Sequence, residues 1–176
     1  MNKTIFFGDS IIEFFPLDHF FEEAINRGYA GYTTLELKAF IPDVIRQKPK
    51  RLIYLAGTND FNEYNKRLPL AIATTIQETL AMIQKACPDC DIILCSLLPC
   101  DHTHIDMHTM NRGIRTNEMI QALNTLLSQL PYHYLDLFSL FYDGQVARRY
   151  YVDSLHVNEE GYALIAEKIK EALISY

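Results

Sequence analysis

Neither glycine-rich nucleotide fingerprint occurs in this chain: G-x-G-x-x-G and the Walker A pattern are both missing. Their absence argues against a dinucleotide or NTP site on an α/β scaffold. A basic footprint is missing too. The formal net charge is -6, so neither nucleic acid nor an anionic membrane surface is an expected partner. No apolar run approaches the roughly 18 residues that span a bilayer. Lys3 leads straight into a strand-like run, without the charged, apolar and cleavage regions of a secretory leader. The expected home is the cytoplasm. Repeats, linkers and low-complexity stretches are absent as well. With 176 residues and 49% hydrophobic content, the expectation is one domain, 1–176, with a sizeable core.

Cysteine is scarce and confined to one region: Cys87, Cys90, Cys95 and Cys100. Cys87-Pro88-Asp89-Cys90 has C-x-x-C spacing, which raises a zinc site or a redox pair. A structural zinc needs a second ligand pair at suitable spacing, and no other close Cys/His pair has it. A thioredoxin-type pair opens a helix after a strand, whereas this one closes a helix and precedes a strand. Reduced structural thiols are expected, with Cys95 a small core residue.

What is present alternates regularly. Thr4-Ile5-Phe6-Phe7-Gly8 reads as a buried strand, and Asp9-Ser10 opens a short helix through Ile11–Phe15 that Pro16 stops. A serine there sits above the carboxyl edge of a sheet and near the positive end of a helix, the position of a nucleophile; it is equally the position of a simple N-cap. Glu23–Gly28 leads into a second, short strand that ends in Tyr29–Thr34. Thr33 or Thr34 caps a helix from Leu35 to about Gln47, with Leu35, Phe40, Ile41, Val44 and Ile45 inward and a kink or break at Pro42. Arg51–Ala56 is the third strand, followed by Gly57-Thr58-Asn59-Asp60. A long helix over Pro69–Ala86 turns Leu70, Ala73, Ile76, Leu80 and Ile83 inward. Then come a strand over Asp91–Leu98, a helix from Arg112 to Leu130, a strand over Tyr132–Phe138 and a last helix from Asn158 to Ser175. Between Pro99 and Arg112 lies an irregular polar stretch with His102, His104 and His108. It is read as a variable loop beside the site, a metal there being the weaker alternative.

Five strands alternating with helices give a parallel sheet covered on both faces, which binds ligands beyond the carboxyl ends of its strands. Ser10, Gly31, Asn59 and the Asp153/His156 pair all fall on that rim. Together they supply a hydroxyl nucleophile, oxyanion donors, a base and a group to orient the base.

In this combination the sequence resembles the SGNH, or GDSL, hydrolase family. Its blocks occur in order: Gly8-Asp9-Ser10, Asn26–Gly31, Gly57-Thr58-Asn59-Asp60 and Asp153-x-x-His156. The resemblance implies a three-layer α/β/α, flavodoxin-like fold with a five-stranded parallel sheet. It implies Ser10 as nucleophile, His156 as general base and then acid, and Asp153 on the other ring nitrogen. The oxyanion donors would be the Ser10 and Gly31 N–H groups and the Asn59 amide. Asp9 and Asp60 are expected to hold loops. Where the family has Gly-Asp-Thr this chain reads Gly31-Tyr32-Thr33, so a hydrogen bond of that loop is in question.

The implied activity is a serine esterase acting through an acyl-enzyme, without cofactor or metal, on a small-molecule ester. A short acyl group, such as acetyl, on a sugar or small alcohol suits the open groove expected at this length. Phe14, Phe15, Phe61 and Tyr64 lie beside the motifs and either hold a longer acyl chain, as in a lysophospholipase or thioesterase, or belong to the core. A non-catalytic flavodoxin-like binding module is the alternative from another class.

Overall fold

The computed structural model describes residues 3–174. Five strands, β1 (Thr4–Gly8), β2 (Ala24–Gly28), β3 (Arg51–Leu55), β4 (Asp91–Cys95) and β5 (His133–Leu135), form one parallel sheet in the order β2-β1-β3-β4-β5. Parallel neighbours require crossovers, and helices supply them. The helices are α1 (Ser10–Glu13), α2 (Thr34–Leu37), α3 (Ile41–Arg46), α4 (Pro69–Ala86), α5 (Met107–Met110), α6 (Asn117–Leu127) and α7 (Glu159–Ile174). The expected end of the last helix, at Ser175, lies outside the described residues. None of these helices is long and apolar enough to cross a membrane.

The strands are apolar on both faces, and alternate side chains feed two cores. Ile5, Phe7, Leu52, Tyr54, Ile92 and Leu94 pack against α2, α3, α4 and α6 through Leu37, Val44, Ile76, Leu80 and Leu123. Phe6, Ile53, Leu55, Ile93 and Cys95 face the other way, against α1 and α7 through Ile11, Ile12, Tyr162, Ile165 and Ile169. All four cysteines are buried and unpaired, Cys95 inside a strand as expected.

Several boundaries differ from the sequence reading. The second strand is Ala24–Gly28 itself rather than the stretch that follows. The helix expected from Leu35 to Gln47 is broken into α2, a 3-10 turn over Lys38–Phe40, and α3, which carries Pro42 in its first turn. Leu35 and Leu70, read as inward, are 51% and 68% exposed; each lies in the first turn of its helix. The fourth strand stops at Cys95 because the Asn124 side chain of α6 takes over the pairing. Its Oδ1 accepts from Leu97 N at 2.8 Å and its Nδ2 donates to Leu97 O at 3.1 Å. The fifth stops at Leu135, after which Ser96 Oγ accepts from both Leu137 N and Phe138 N at 2.9 Å. α6 begins at Asn117, capped by Thr116, rather than at Arg112: Gly113 has φ +58, outside the helical range.

The sheet order reverses at β1, whose neighbours are β2 and β3. The loops after β1, β2 and β3 therefore leave the same edge side by side, at the switch point where ligands bind in such sheets. Close packing fixes the first of them. A Cβ on Gly28 would lie 2.0 Å from Glu13 N, so only glycine lets α1 lie this near the edge strand.

Candidate active site

Asp9, not Ser10, caps α1: its Oδ1 accepts from Ile11 N at 3.0 Å. The Ser10 hydroxyl is therefore free of the capping duty that the sequence alone allowed it. It donates instead to His156 Nε2 at 2.9 Å. The other ring nitrogen, Nδ1–H, donates to Asp153 Oδ2 at 2.8 Å. An ionised Asp153 can only accept, so the ring proton belongs on Nδ1 and Nε2 is left to receive. Asp153 Oδ1 accepts from Leu155 N at 2.7 Å and His156 N at 2.6 Å. Burial alone would raise this carboxyl, but the hydrogen bonds from His156 and Leu155 and the imidazole's charge hold it below the usual carboxylate range.

Asn59 sits in a 3-10 turn over Thr58–Phe61 that follows β3. One of its two amide hydrogens goes to Tyr32 O at 3.0 Å, which leaves the second for a ligand. Gly31 takes φ +81 at an open position, with nothing within 4 Å of where a Cβ would be. The loop that carries it is firmly held although Tyr32 stands where the family has aspartate. Glu13 accepts from Ala30 N, Thr33 and Glu36 form a capping box, and Asp60 accepts from Thr34 N at 2.9 Å and Thr34 Oγ1 at 2.6 Å. Arg67 closes the set with a 2.5 Å pair to Asp60. Asp9 and Asp60 thus hold loops, as expected. Burial drives the Asp9 carboxyl up to about 7, and it raises Asp60 against the opposing hydrogen bonds of Thr34 and Arg67.

The polar stretch before α6 does more than line a rim. Asp106 caps the one-turn helix α5 through His108 N and Thr109 N. It also accepts from Ser154 N and Ser154 Oγ, both at 2.7 Å. Burial would raise this carboxyl too, yet these donors hold it far below its ordinary range. Asp101 N donates to Ser154 O at 2.9 Å, and Arg148 bridges Asp101 and the Asp153 carbonyl. The segment bearing Asp153 and His156 is thereby tied to the loop over 101–111. Sequence reasoning missed Asp106; the signal was an N-cap aspartate three residues before Thr109.

The His156 ring meets two others, Phe14 at 5.4 Å and His108 at 5.0 Å, both edge-on. Of the three loop histidines only His108 reaches this cluster. His104 meets Arg148, and both His102 ring nitrogens are buried without a partner. Phe15 and Phe61 are core residues, while Phe14 and Tyr64 are exposed. Beside His156 opens a cleft of about 440 Å³ walled by Phe14, Pro16, Val152, Val157 and Tyr162, with Asn158 and Glu159 as its polar end. A second cleft, of about 270 Å³ and lined by Lys48, Lys50 and Cys87–Cys90, lies at the opposite, amino edge of the sheet, away from all these groups.

An α/β sheet with a serine, a histidine and an aspartate in hydrogen-bonded series at its carboxyl edge defines a hydrolase-type site. The chain belongs to the GDSL-like Lipase/Acylhydrolase family, whose model matches residues 6–164. The non-catalytic alternative is thereby set aside: the protein is a GDSL-type hydrolase of carboxylic esters. Similar solved structures include a GDSL-like lipase from Bacteroides thetaiotaomicron, 22% identical over 99% of this chain and 88% of that one, TM-score 0.82. A lipase/acylhydrolase from Enterococcus faecalis is 21% identical over 98% and 95%, TM-score 0.75. A carbohydrate acetylesterase from Sinorhizobium meliloti is 16% identical over 99% of both chains, TM-score 0.78. No curated protein sequence matches significantly.

Proposed function

We propose that this single-domain enzyme cleaves short-acyl esters, acetyl above all, of a sugar or another small alcohol, through an acyl-enzyme on Ser10. The observation that carries the reading is the series Ser10 Oγ–His156 Nε2 and His156 Nδ1–Asp153 Oδ2, at 2.9 and 2.8 Å. Ser10 Oγ attacks the ester carbonyl while its proton passes to His156 Nε2, and Asp153 stabilises the imidazolium. The carbonyl oxygen, now negative, takes hydrogen bonds from Ser10 N–H, Gly31 N–H and the free amide hydrogen of Asn59. His156 returns its proton to the leaving alkoxide. Water then attacks the acyl-enzyme by the same route, releasing the acid.

The leaving alcohol must lie against His156, which gives it its proton, and the cleft beside that ring is the room for it. Its walls are apolar and aromatic, which suits the C–H faces of a sugar or another ring, and Glu159 can accept from a hydroxyl. Phe15 and Phe61 are spent on the core, which removes two of four side chains that would have held a long acyl chain. A structurally similar carbohydrate acetylesterase fits the same substrate class. The four unpaired cysteines suit a reducing compartment, the cytoplasm.

The test is a series of p-nitrophenyl esters of rising acyl length alongside acetylated sugars. kcat/KM should peak at acetyl and fall with length, and a serine-reactive fluorophosphonate should label Ser10. A maximum at eight carbons or more would favour the lysophospholipase or thioesterase alternative.

A further inference from the structure

Two imidazoles and a carboxylate converge where His108, a residue outside the sequence motifs, meets the Asp153/His156 pair. His108 Nε2 lies 3.4 Å from Asp153 Oδ2, and His156 Nδ1 lies 2.8 Å from the same oxygen. One ligating atom from each of the three residues falls within 4.8 Å of the other two. His108 is held in place by its backbone: Asp106 caps its helix, and Arg115 Nη2 donates to its carbonyl at 2.8 Å. The cluster is open to solvent, with about a third of the His108 side chain exposed. In a tetrahedral site with bonds near 2.0–2.2 Å, ligand atoms stand about 3.4 Å apart. The His108–Asp153 pair has that spacing already.

We propose that His108, Asp153 and His156 form an inhibitory site for zinc or a similar first-row divalent cation, bound through His108 Nε2, Asp153 Oδ2 and His156 Nδ1. Two imidazoles and one carboxylate suit zinc, whereas magnesium prefers oxygen ligands alone. The mode of inhibition follows from the ring's single proton and rests on the esterase reading above. A neutral imidazole that coordinates through Nδ1 gives up its N–H there and carries its one proton on Nε2. The N–H then faces Ser10 Oγ, and the atom that must accept the serine proton is already occupied. Nothing is oxidised or reduced and no proton is lost; the cation traps the wrong tautomer. Water completes the fourth position.

Zinc chloride titrated against p-nitrophenyl acetate hydrolysis should lower kcat/KM at least about ten-fold at saturation, with recovery on adding EDTA. Magnesium chloride should leave the rate unchanged. His108→Gln, normalised to its own metal-free rate, should need at least about ten-fold more zinc for the same inhibition, since even supporting groups around a metal are worth that much. Calorimetry of zinc binding to Ser10→Ala and to Ser10→Ala/His108→Gln should show the same ratio without any turnover. Zinc that binds as predicted to a protein that hydrolyses no ester would support the site and sink the esterase reading. Zinc that binds both His108 forms equally, or neither, overturns the proposal.

Discussion

Asp106 grips Ser154 twice, taking its backbone N–H on one carboxylate oxygen and its hydroxyl on the other, both at 2.7 Å. Ser154 stands next to Asp153 and two residues before His156. Asp106 therefore helps to set where His156, the proposed base, stands. Asp106→Ala should lower kcat about 10²-fold, the cost of misplacing a reacting group by about an ångström. Asp106→Asn keeps one acceptor and should recover part of the rate. Equal kcat in wild type and Asp106→Ala would remove the positioning role.

Ser10→Ala should abolish turnover while the protein stays folded, because Asp9 rather than Ser10 caps α1. Residual hydrolysis about 10³–10⁴-fold over water can remain from the oxyanion donors and binding. Circular dichroism checks the fold. Near wild-type turnover in the variant would end the nucleophile assignment.

Asn59→Ala should cost about 10²–10³ in kcat, roughly 2.7–4 kcal/mol, with a smaller change in KM, because its free amide hydrogen meets charge that develops only in the transition state. A loss confined to KM would make Asn59 a ground-state contact or a brace for Tyr32 O.

Asp153→Asn should lower kcat steeply by favouring the ring tautomer with its proton on Nε2, and the loss is expected to approach about 10⁴-fold. Asn59 is held by Tyr32 O rather than by Asp153 or His156, so that loop should stay intact. Retained kcat would mean that the backbone alone orients the ring.

Asp9 should make stability depend on pH in an unusual direction. Burial lifts its folded pKa to about 7, above the roughly 3.9 of an unfolded aspartate. Its neutral form is thus the one that the fold prefers, so its contribution is complete below about pH 4 and is lost as pH rises through about 7. Urea unfolding should show wild type losing ground to Asp9→Asn by up to about 1.4 kcal/mol per pH unit across that window. A difference that stays constant from pH 4 to 8 would contradict the buried, proton-holding carboxyl.

The strand–helix alternation and the four motif blocks were readable because each is local: an apolar run, then a short polar turn with a distinctive residue. β1, Ser10, Asn59 and the Asp153/His156 pair all depend on near neighbours in the chain. What was not readable depended on partners far along it. Nothing near Leu97 announces that Asn124, 27 residues on, will replace a strand neighbour. Likewise Ser96 Oγ ends β5 from 41 residues away. Leu35 and Leu70 have helical spacing, but periodicity cannot say that a first turn overhangs the core. α5 and its Asp106 cap were hidden in a stretch whose polar composition looked like plain loop.

The proposed nucleophile, Ser10, rides on a helix of one turn, and that turn is fastened to an edge strand. Asn26 Nδ2 donates to Ile12 O at 2.7 Å, Glu13 meets Ala30 N, and Gly28 lies directly beneath Glu13. β2 has a neighbour on one side only, and edge strands exchange and fray before the interior does. Each opening of β2 unfastens α1 and carries Ser10 out of reach of His156. Catalytic competence is therefore tied to an edge strand: on heating or in mild urea, activity should fade while the β1-β3-β4 interior still keeps its amide protons.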